Sequence, residues 1–309
     1  MTGSLRAAAR AFLLAAVITV PAAAIADSAI TVTDASGRKV TITDTSRIVS
    51  VGGDITEILY ALKAGEKIAA VDSTSQFPPE ARRTKPVIGY MRALPAEGVI
   101  ATNPTLILAA HDAGPADVVK MLKSSSVPYV GVPDDKSPEG AADKIRFIAT
   151  AIGKKEAGEA LAKALEAEFA ALAKQREKIT DPVRALFVLT VMNGRATVAG
   201  TESSADAMLK LAGAKNAAAD ITGYKPIVDE AAMQLAPDAI VTMKHSSSGF
   251  KSDDVLTVKG LKESPAGQNK RIIEMDALYF LGFGPRSARA AGDLMHTLYP
   301  KLAERPAGE

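Results

Sequence analysis

The sequence predicts an α/β protein of two similar lobes joined by a long helix, and three observations carry that prediction. One is an internal repeat: residues 94–111 read LPAEGVIATNPTLILAAH and residues 227–245 read IVDEAAMQLAPDAIVTMKH. Each copy opens with an acid on a short helical stretch, turns at a proline and enters an apolar strand that closes on a histidine. Glu97 precedes Pro104 by seven residues, as Glu230 precedes Pro237, and the copies lie 133 residues apart. The second observation is the alternation RIVSVG, DITEILYALKAG, KIAAVD, in which apolar strand runs flank a helical one, the pattern of parallel strands covered on both faces. The third is a stretch without strand signal, from about Pro138 to Thr180, where KKEAGEALAKALEAEFAALAKQREK sets Leu161, Leu165, Phe169 and Leu172 on one helical face.

The elements follow in order. Residues 1–26 carry Arg6 and Arg10, an apolar run from Ala11 to Val20 and Ala24-Ile25-Ala26 before Asp27. A basic start, a core too short to span a bilayer and a small-residue site predict an export signal cleaved after Ala26. The first lobe is expected over 27–137. ITVTDASGRKVTI alternates about a turn at Asp34–Gly37, as a hairpin does. Asp54 is expected to cap the following helix and Gly65 to end it. Strands LILAAH and VPYVGV complete the lobe. The bridging helix is assigned to 138–182, roughly 25 residues of it regular and about 38 Å long. With no glycine or proline after Gly158 it reads as a stiff strut packed against both lobes. The second lobe, 183–309, runs through RALFVLTV, DAMLKLAG, the repeated block and RIIEM to a last helix, SARAAGDLMHTLYPKL, introduced by Pro285.

Composition narrows the function classes. The 309 residues carry 37 Lys+Arg and 35 Asp+Glu. Removing 1–26 takes two arginines and no acid, so the exported chain is formally neutral, which argues against a nucleic-acid binder. No cysteine is present, which excludes disulfides, thiolate catalysis, thiolate metal sites and a lipid-bearing cysteine together. No later segment is long and apolar enough to span a membrane, and a freely soluble periplasmic protein is the simplest reading. No G-x-G-x-x-G, phosphate loop, G-x-S-x-G or H-E-x-x-H occurs. Binding is therefore a better starting point than catalysis. Two lobes with a cleft between them and equivalent surface glutamates suit a protein that closes on a ligand and is read by a two-fold symmetric partner.

The candidate site precedes the first repeated block, in Pro86-Val-Ile-Gly-Tyr90-Met91-Arg92. Loops at strand ends of open α/β sheets are where ligands bind. Tyr90 alone reads as a packed or rim residue. If Gly89–Arg92 is extended, however, residues 90 and 92 point to one side, and a guanidinium beside a phenol favours the phenolate. A phenolate is an anionic oxygen donor suited to ferric iron, and tyrosine serves as an axial haem ligand. His111 and His245 close the repeated blocks; each reads as a strand-end residue with a satisfied polar tip, or as a haem or metal contact. His296 reads as structural. Tyr279, Phe280 and Phe283 supply either a flat aromatic surface or core packing.

The segments VDSTSQFPPEA, VIGYMRALPAEGV and LYFLGFGPRSARA resemble the periplasmic haem-binding proteins of bacterial haem ABC importers, within the cobalamin- and siderophore-binding class of solute-binding proteins. The resemblance runs from about Arg47 to Leu302. It implies two Rossmann-like lobes bridged by a rigid helix, a monomer without nucleic acid, membrane insertion or covalent chemistry, with haem as the transported ligand. It implies Tyr90 as the haem iron ligand, Arg92 as the hydrogen-bond donor to its phenolate, and Glu97 and Glu230 as contacts to arginines of an inner-membrane permease dimer with its ATPase. Some members add a histidine from the second lobe. VLTVMNGRATVAG offers Met192, Asn193 and Arg195 there instead, so five-coordinate iron is expected, with Met192 or Arg195 on the distal side and Met91 beside the ligand. Alternatives are a ferric-siderophore or cobalamin carrier, and a periplasmic metal-dependent enzyme built on His111 and His245.

Overall fold

The computed structural model describes residues 29–244 and 250–302. The export signal expected over 1–26 and the candidate His245 lie outside the described residues. A hairpin opens the chain: β1 (Ile30–Thr33) pairs antiparallel with β2 (Lys39–Ile42). Asp34 closes its turn by accepting from the Ser36 and Arg38 amides, and Gly37 takes a φ of 77°, where a side chain is disfavoured. β3 (Ile48–Val51), β4 (Ile68–Val71), β5 (Leu106–Ala110) and β6 (Tyr129–Val132) form a four-stranded parallel sheet in the order β4-β3-β5-β6. β3, β5 and β6 are buried along their whole length, which is why they read as continuous apolar runs rather than alternating ones.

The second half builds a separate six-stranded sheet from β7 (Arg184–Met192), β8 (Arg195–Ala199), β9 (Lys215–Asn216), β10 (Tyr224–Ile227), β11 (Ala239–Lys244) and β12 (Ile272–Asp276). β7, β11 and β12 are parallel, while β8 and β10 add an antiparallel flank in the order β10-β8-β7-β11-β12. The β7–β8 connection is Asn193-Gly194 with φ of 51° and 72°, the two positive values a two-residue hairpin turn requires.

Between the sheets, segment 138–182 holds two helices where one was expected: Pro138–Ala151 and Lys155–Arg176. The chain turns back at Gly153, φ 72°. The two helices pack closely because Gly158 has no side chain; a Cβ there would lie 2.1 Å from that of Ala149. The longer helix also packs on Ser287–Leu298, where Arg289 meets Glu168 and His296 Nε2 lies 3.2 Å from Gln175, the structural place expected for this histidine. One apolar core runs from the first sheet through both helices to Ser287–Leu298, and Phe187 stacks on Phe280 at 5.8 Å within it.

Two expected helix ends are corrected. The helix Gly53–Ala61 starts from Gly52 without a side-chain cap, and Asp54 instead spends its carboxylate on Lys144, 2.6 Å away. That helix ends before Gly65, through left-handed Lys63 at φ 53°. Lys144 is fully buried and also reaches Asp134, at 2.5 Å, and the Gly282 carbonyl at 3.3 Å. Burial works against its charge, but the two carboxylates outweigh burial and raise its pKa. Nearby, Arg286 makes two 2.8 Å bonds to buried Glu57, with its guanidinium 3.5 Å from the Phe77 ring centre. These contacts tie helix Gly53–Ala61, which covers the first sheet, to the last third of the chain.

Candidate functional site

The site is a turn held at the carboxyl end of the first sheet. Residues 86–89 run beside β4: the Val71 amide donates to Pro86, Ile88 donates to Val71, and Ser73 donates to Gly89 at 2.7 Å. Gly89 then adopts φ 104°, which only glycine takes without strain. The chain folds at once, as the Ala93 amide donates to the Tyr90 carbonyl at 2.8 Å. Two more bonds of 2.9 Å, Leu94 to Gly114 and Gly114 to Met91, fasten this turn to the loop that follows β5. Tyr90 and Arg92 therefore meet across a turn and not along an extended strand, as the sequence suggested. Met91, placed beside the ligand on sequence grounds, is 7% exposed and packs inward against Thr74, anchoring the turn.

The geometry of the pair is specific. Arg92 Nη1 donates to the Tyr90 hydroxyl at 2.5 Å, and the ring stands 43% exposed. Arg92 is itself steered by Asp112, whose Oδ2 accepts from Nε at 3.1 Å and from Nη2 at 2.5 Å. Burial disfavours the guanidinium charge, yet the bonds to Tyr90 and Asp112 raise its pKa above the ordinary value. Arginine has no acceptor, so the phenol oxygen must accept here and turn its own proton outward. The exposed phenol, its oxygen already fixed by one guanidinium bond, is an oxygen donor of the kind a ferric centre takes.

The other sequence candidates divide. His111 follows β5 and lies beside Asp134, its Nδ1 3.5 Å from Oδ2, while Asp134 is bound by Lys136 and Lys144. Burial alone would raise the Asp134 pKa; Lys144 and Lys136 prevail and hold it at about 2. Met192, Asn193 and Arg195 form the exposed tip of the β7–β8 hairpin. Tyr279 donates to Asp293 at 2.8 Å, and burial together with that carboxylate pushes its pKa well above the tyrosine norm, so it is no phenolate source. Phe280 and Phe283 are fully buried and belong to the core, a correction to their assignment as ligand surface. Glu97 and Glu230 are exposed on the short helices Ala96–Ile100 and Asp229–Leu235. Among the described residues no group of three or more histidine or carboxylate side chains forms a metal cage. Surface hollows of about 560 Å3 around Leu256 and about 290 Å3 around Phe169 lie away from Tyr90 and share none of its neighbours.

Sequence reading missed one residue of the site and one that repeats its pattern. Asp112 escaped because its role depends on a contact between residues 20 apart, although it directly follows His111 at the strand end. Tyr224 escaped although the signal was present: Gly89-Tyr90 recurs as Gly223-Tyr224, with positive φ at both glycines and both rings exposed. The Tyr224 hydroxyl lies 3.2 Å from that of Ser204, with no guanidinium beside it among the described residues.

The solved periplasmic haem-binding protein RhuT from Roseiflexus sp. RS-1, in its apo form, is 39% identical, with a TM-score of 0.79 over 84% of this chain and 100% of its own. The uncharacterized ABC transporter substrate-binding lipoprotein YvrC of Bacillus subtilis is 30% identical over 88% of this chain and 86% of its own. A vitamin B12-binding protein of Vibrio parahaemolyticus is 26% identical over 79% and 86%. The family model for periplasmic binding proteins matches residues 48–279, from the first strand of the parallel sheet to the helix after β12. The chain belongs to the periplasmic binding protein family.

Proposed function

We propose that this protein carries haem in the periplasm, binding its iron through Tyr90, and delivers it to an inner-membrane ABC permease. The observation that carries the reading is the exposed Tyr90 hydroxyl accepting from Arg92, itself fixed by Asp112. Similarity to RhuT, a haem-binding protein with 39% identity, supports the same ligand. In this reading the chain is an export signal over 1–26, a lobe over 27–137, a bridging segment over 138–182 and a lobe over 183–309, with haem taken between the lobes. The helix Lys155–Arg176 acts as the rigid connection, supported by its packing on both Pro138–Ala151 and Ser287–Leu298. Iron is five-coordinate, with Met192 or Arg195 on the distal side. Glu97 and Glu230 engage basic residues of the two permease subunits. The protein carries its ligand without covalent chemistry.

A second reading, cobalamin transport, is favoured by the vitamin B12-binding relatives. A corrinoid brings its own cobalt ligands and does not need a protein phenolate, whereas ferric haem takes an axial ligand from the protein, a role a phenolate can fill. The two are separated by titrating the 27–309 chain with ferric haem and with cyanocobalamin by isothermal calorimetry. Saturable haem binding at one site with no heat from cyanocobalamin supports the haem reading. Saturable cyanocobalamin binding with only diffuse haem uptake replaces it.

A further inference from the structure

The repeat extends to the surface chemistry beside each glutamate. Glu97 and Ile100 stand three residues apart on one helix, and Glu230 and Met233 stand three apart on the other, so each pair shares a helix face. Ile100 is 40% exposed and Met233 48%, while the residue just before each, Val99 and Ala232, is fully buried. Every one of these positions recurs at the same spacing of 133 residues. So does the backbone between each helix and the following strand, with left-handed Asn103 at φ 50° before Pro104 and left-handed Ala236 at φ 37° before Pro237. A single exposed aliphatic side chain is ordinary on a protein surface. Two at the same register of a repeat, each over the same acid, are not accounted for by folding, because a polar side chain at either position would leave Val99 and Ala232 buried as they are.

Resting on the docking role proposed for the glutamates, we infer that each docking point is a mixed contact in which the carboxylate meets a basic side chain and Ile100 or Met233 enters an apolar recess beside it. The occupant is a pair of identical or pseudo-identical membrane-protein subunits, since a repeated surface is matched by a two-fold related partner. Each half of the contact does different work. The carboxylates set the salt dependence and the rate of encounter, because an exposed charge pair is screened and contributes little net affinity. The apolar side chains, excluded from water on docking, set how long the complex lasts. Neither Glu97 nor Glu230 forms an ion pair among the described residues, so no intramolecular bond shown there must break first.

The test uses the 27–309 chain and its importer, permease dimer with ATPase, in nanodiscs, and measures dissociation constants at 50 and 300 mM salt. Three forms are compared: the unaltered chain, Ile100→Ser with Met233→Ser, and Glu97→Gln with Glu230→Gln. Thermal melts and ligand titration establish that each variant is folded. The inference expects the serine pair to weaken docking on the order of tenfold at both salts, through faster dissociation, with the salt dependence retained. It expects the glutamine pair to lose most of the salt dependence. If the serine pair docks like the unaltered chain while the glutamine pair does not, the apolar half is overturned and the glutamates keep their role. If the serine pair weakens docking and the glutamine pair changes neither affinity nor salt dependence, the glutamate reading fails and the apolar contact stands alone. Unchanged docking by both overturns both.

Discussion

The two repeated blocks agree on one side and part on the other. From Glu97 to Pro104 and from Glu230 to Pro237 they match in acid, exposed aliphatic residue, buried position, left-handed residue and proline. Outside that span they diverge. The first block is preceded by the Tyr90–Ala93 turn and followed by Asp112, which converge on Arg92. The second is preceded by β10, where the Tyr224 hydroxyl lies beside that of Ser204, with no guanidinium next to it among the described residues. The lesson is a division of labour: what is duplicated suits a symmetric partner, and what is unique suits an asymmetric ligand that needs one anionic oxygen.

The largest expected effect breaks the link between the halves. Lys144→Ala leaves Asp54 and Asp134 without their shared cation in a largely desolvated place, which costs about 3–5 kcal/mol by urea unfolding. A loss below about 1 kcal/mol contradicts a structural role for this triad. A smaller effect is acid sensitivity. The Asp134 pKa is held at about 2, below its unfolded value, so the ionised carboxylate stabilises the fold above about pH 4 and that contribution, about 2 kcal/mol, is lost as pH falls towards 2. Asp134→Asn should flatten this part of the stability–pH curve.

The site predictions sharpen the asymmetry. Arg92→Leu should weaken haem binding on the order of 10–100-fold in a spectral titration, since it removes the donor that orients the Tyr90 oxygen. Asp112→Asn keeps a side chain of the same shape but only loosens Arg92, and should cost a few-fold, in keeping with a partly exposed charge contact. Tyr224→Phe should change affinity about threefold or less and leave the visible spectrum of bound haem intact; loss of that spectrum transfers the ligand role to the second half.

Much of the fold was legible because burial writes itself as residue type. The parallel strands read as apolar runs, the hairpin as alternation, and the repeat as its own spacing. The second helix in 138–182 was not legible: Pro138–Ala151 ends in an ordinary Ala-Ile-Gly sequence, and only the positive φ of Gly153 marks the reversal. Tyr90 with Arg92 was legible from their proximity, although the contact comes from a turn set by Gly89 and Gly114 bonds that no local pattern announces. Asp112 was not, because its contact is made by tertiary closure. Phe280 and Phe283 stayed ambiguous because an aromatic pair has the same composition in a core and in a ligand wall.

The central claim is that one phenolate holds the ligand. The most direct measurement titrates ferric haem into the 27–309 chain and its Tyr90→Phe variant and records the visible spectrum of each. The account predicts a saturable high-spin tyrosinate spectrum for the first and its loss in the second, with affinity lower by on the order of a hundredfold or more. Equal affinity and the same spectrum from both would contradict it.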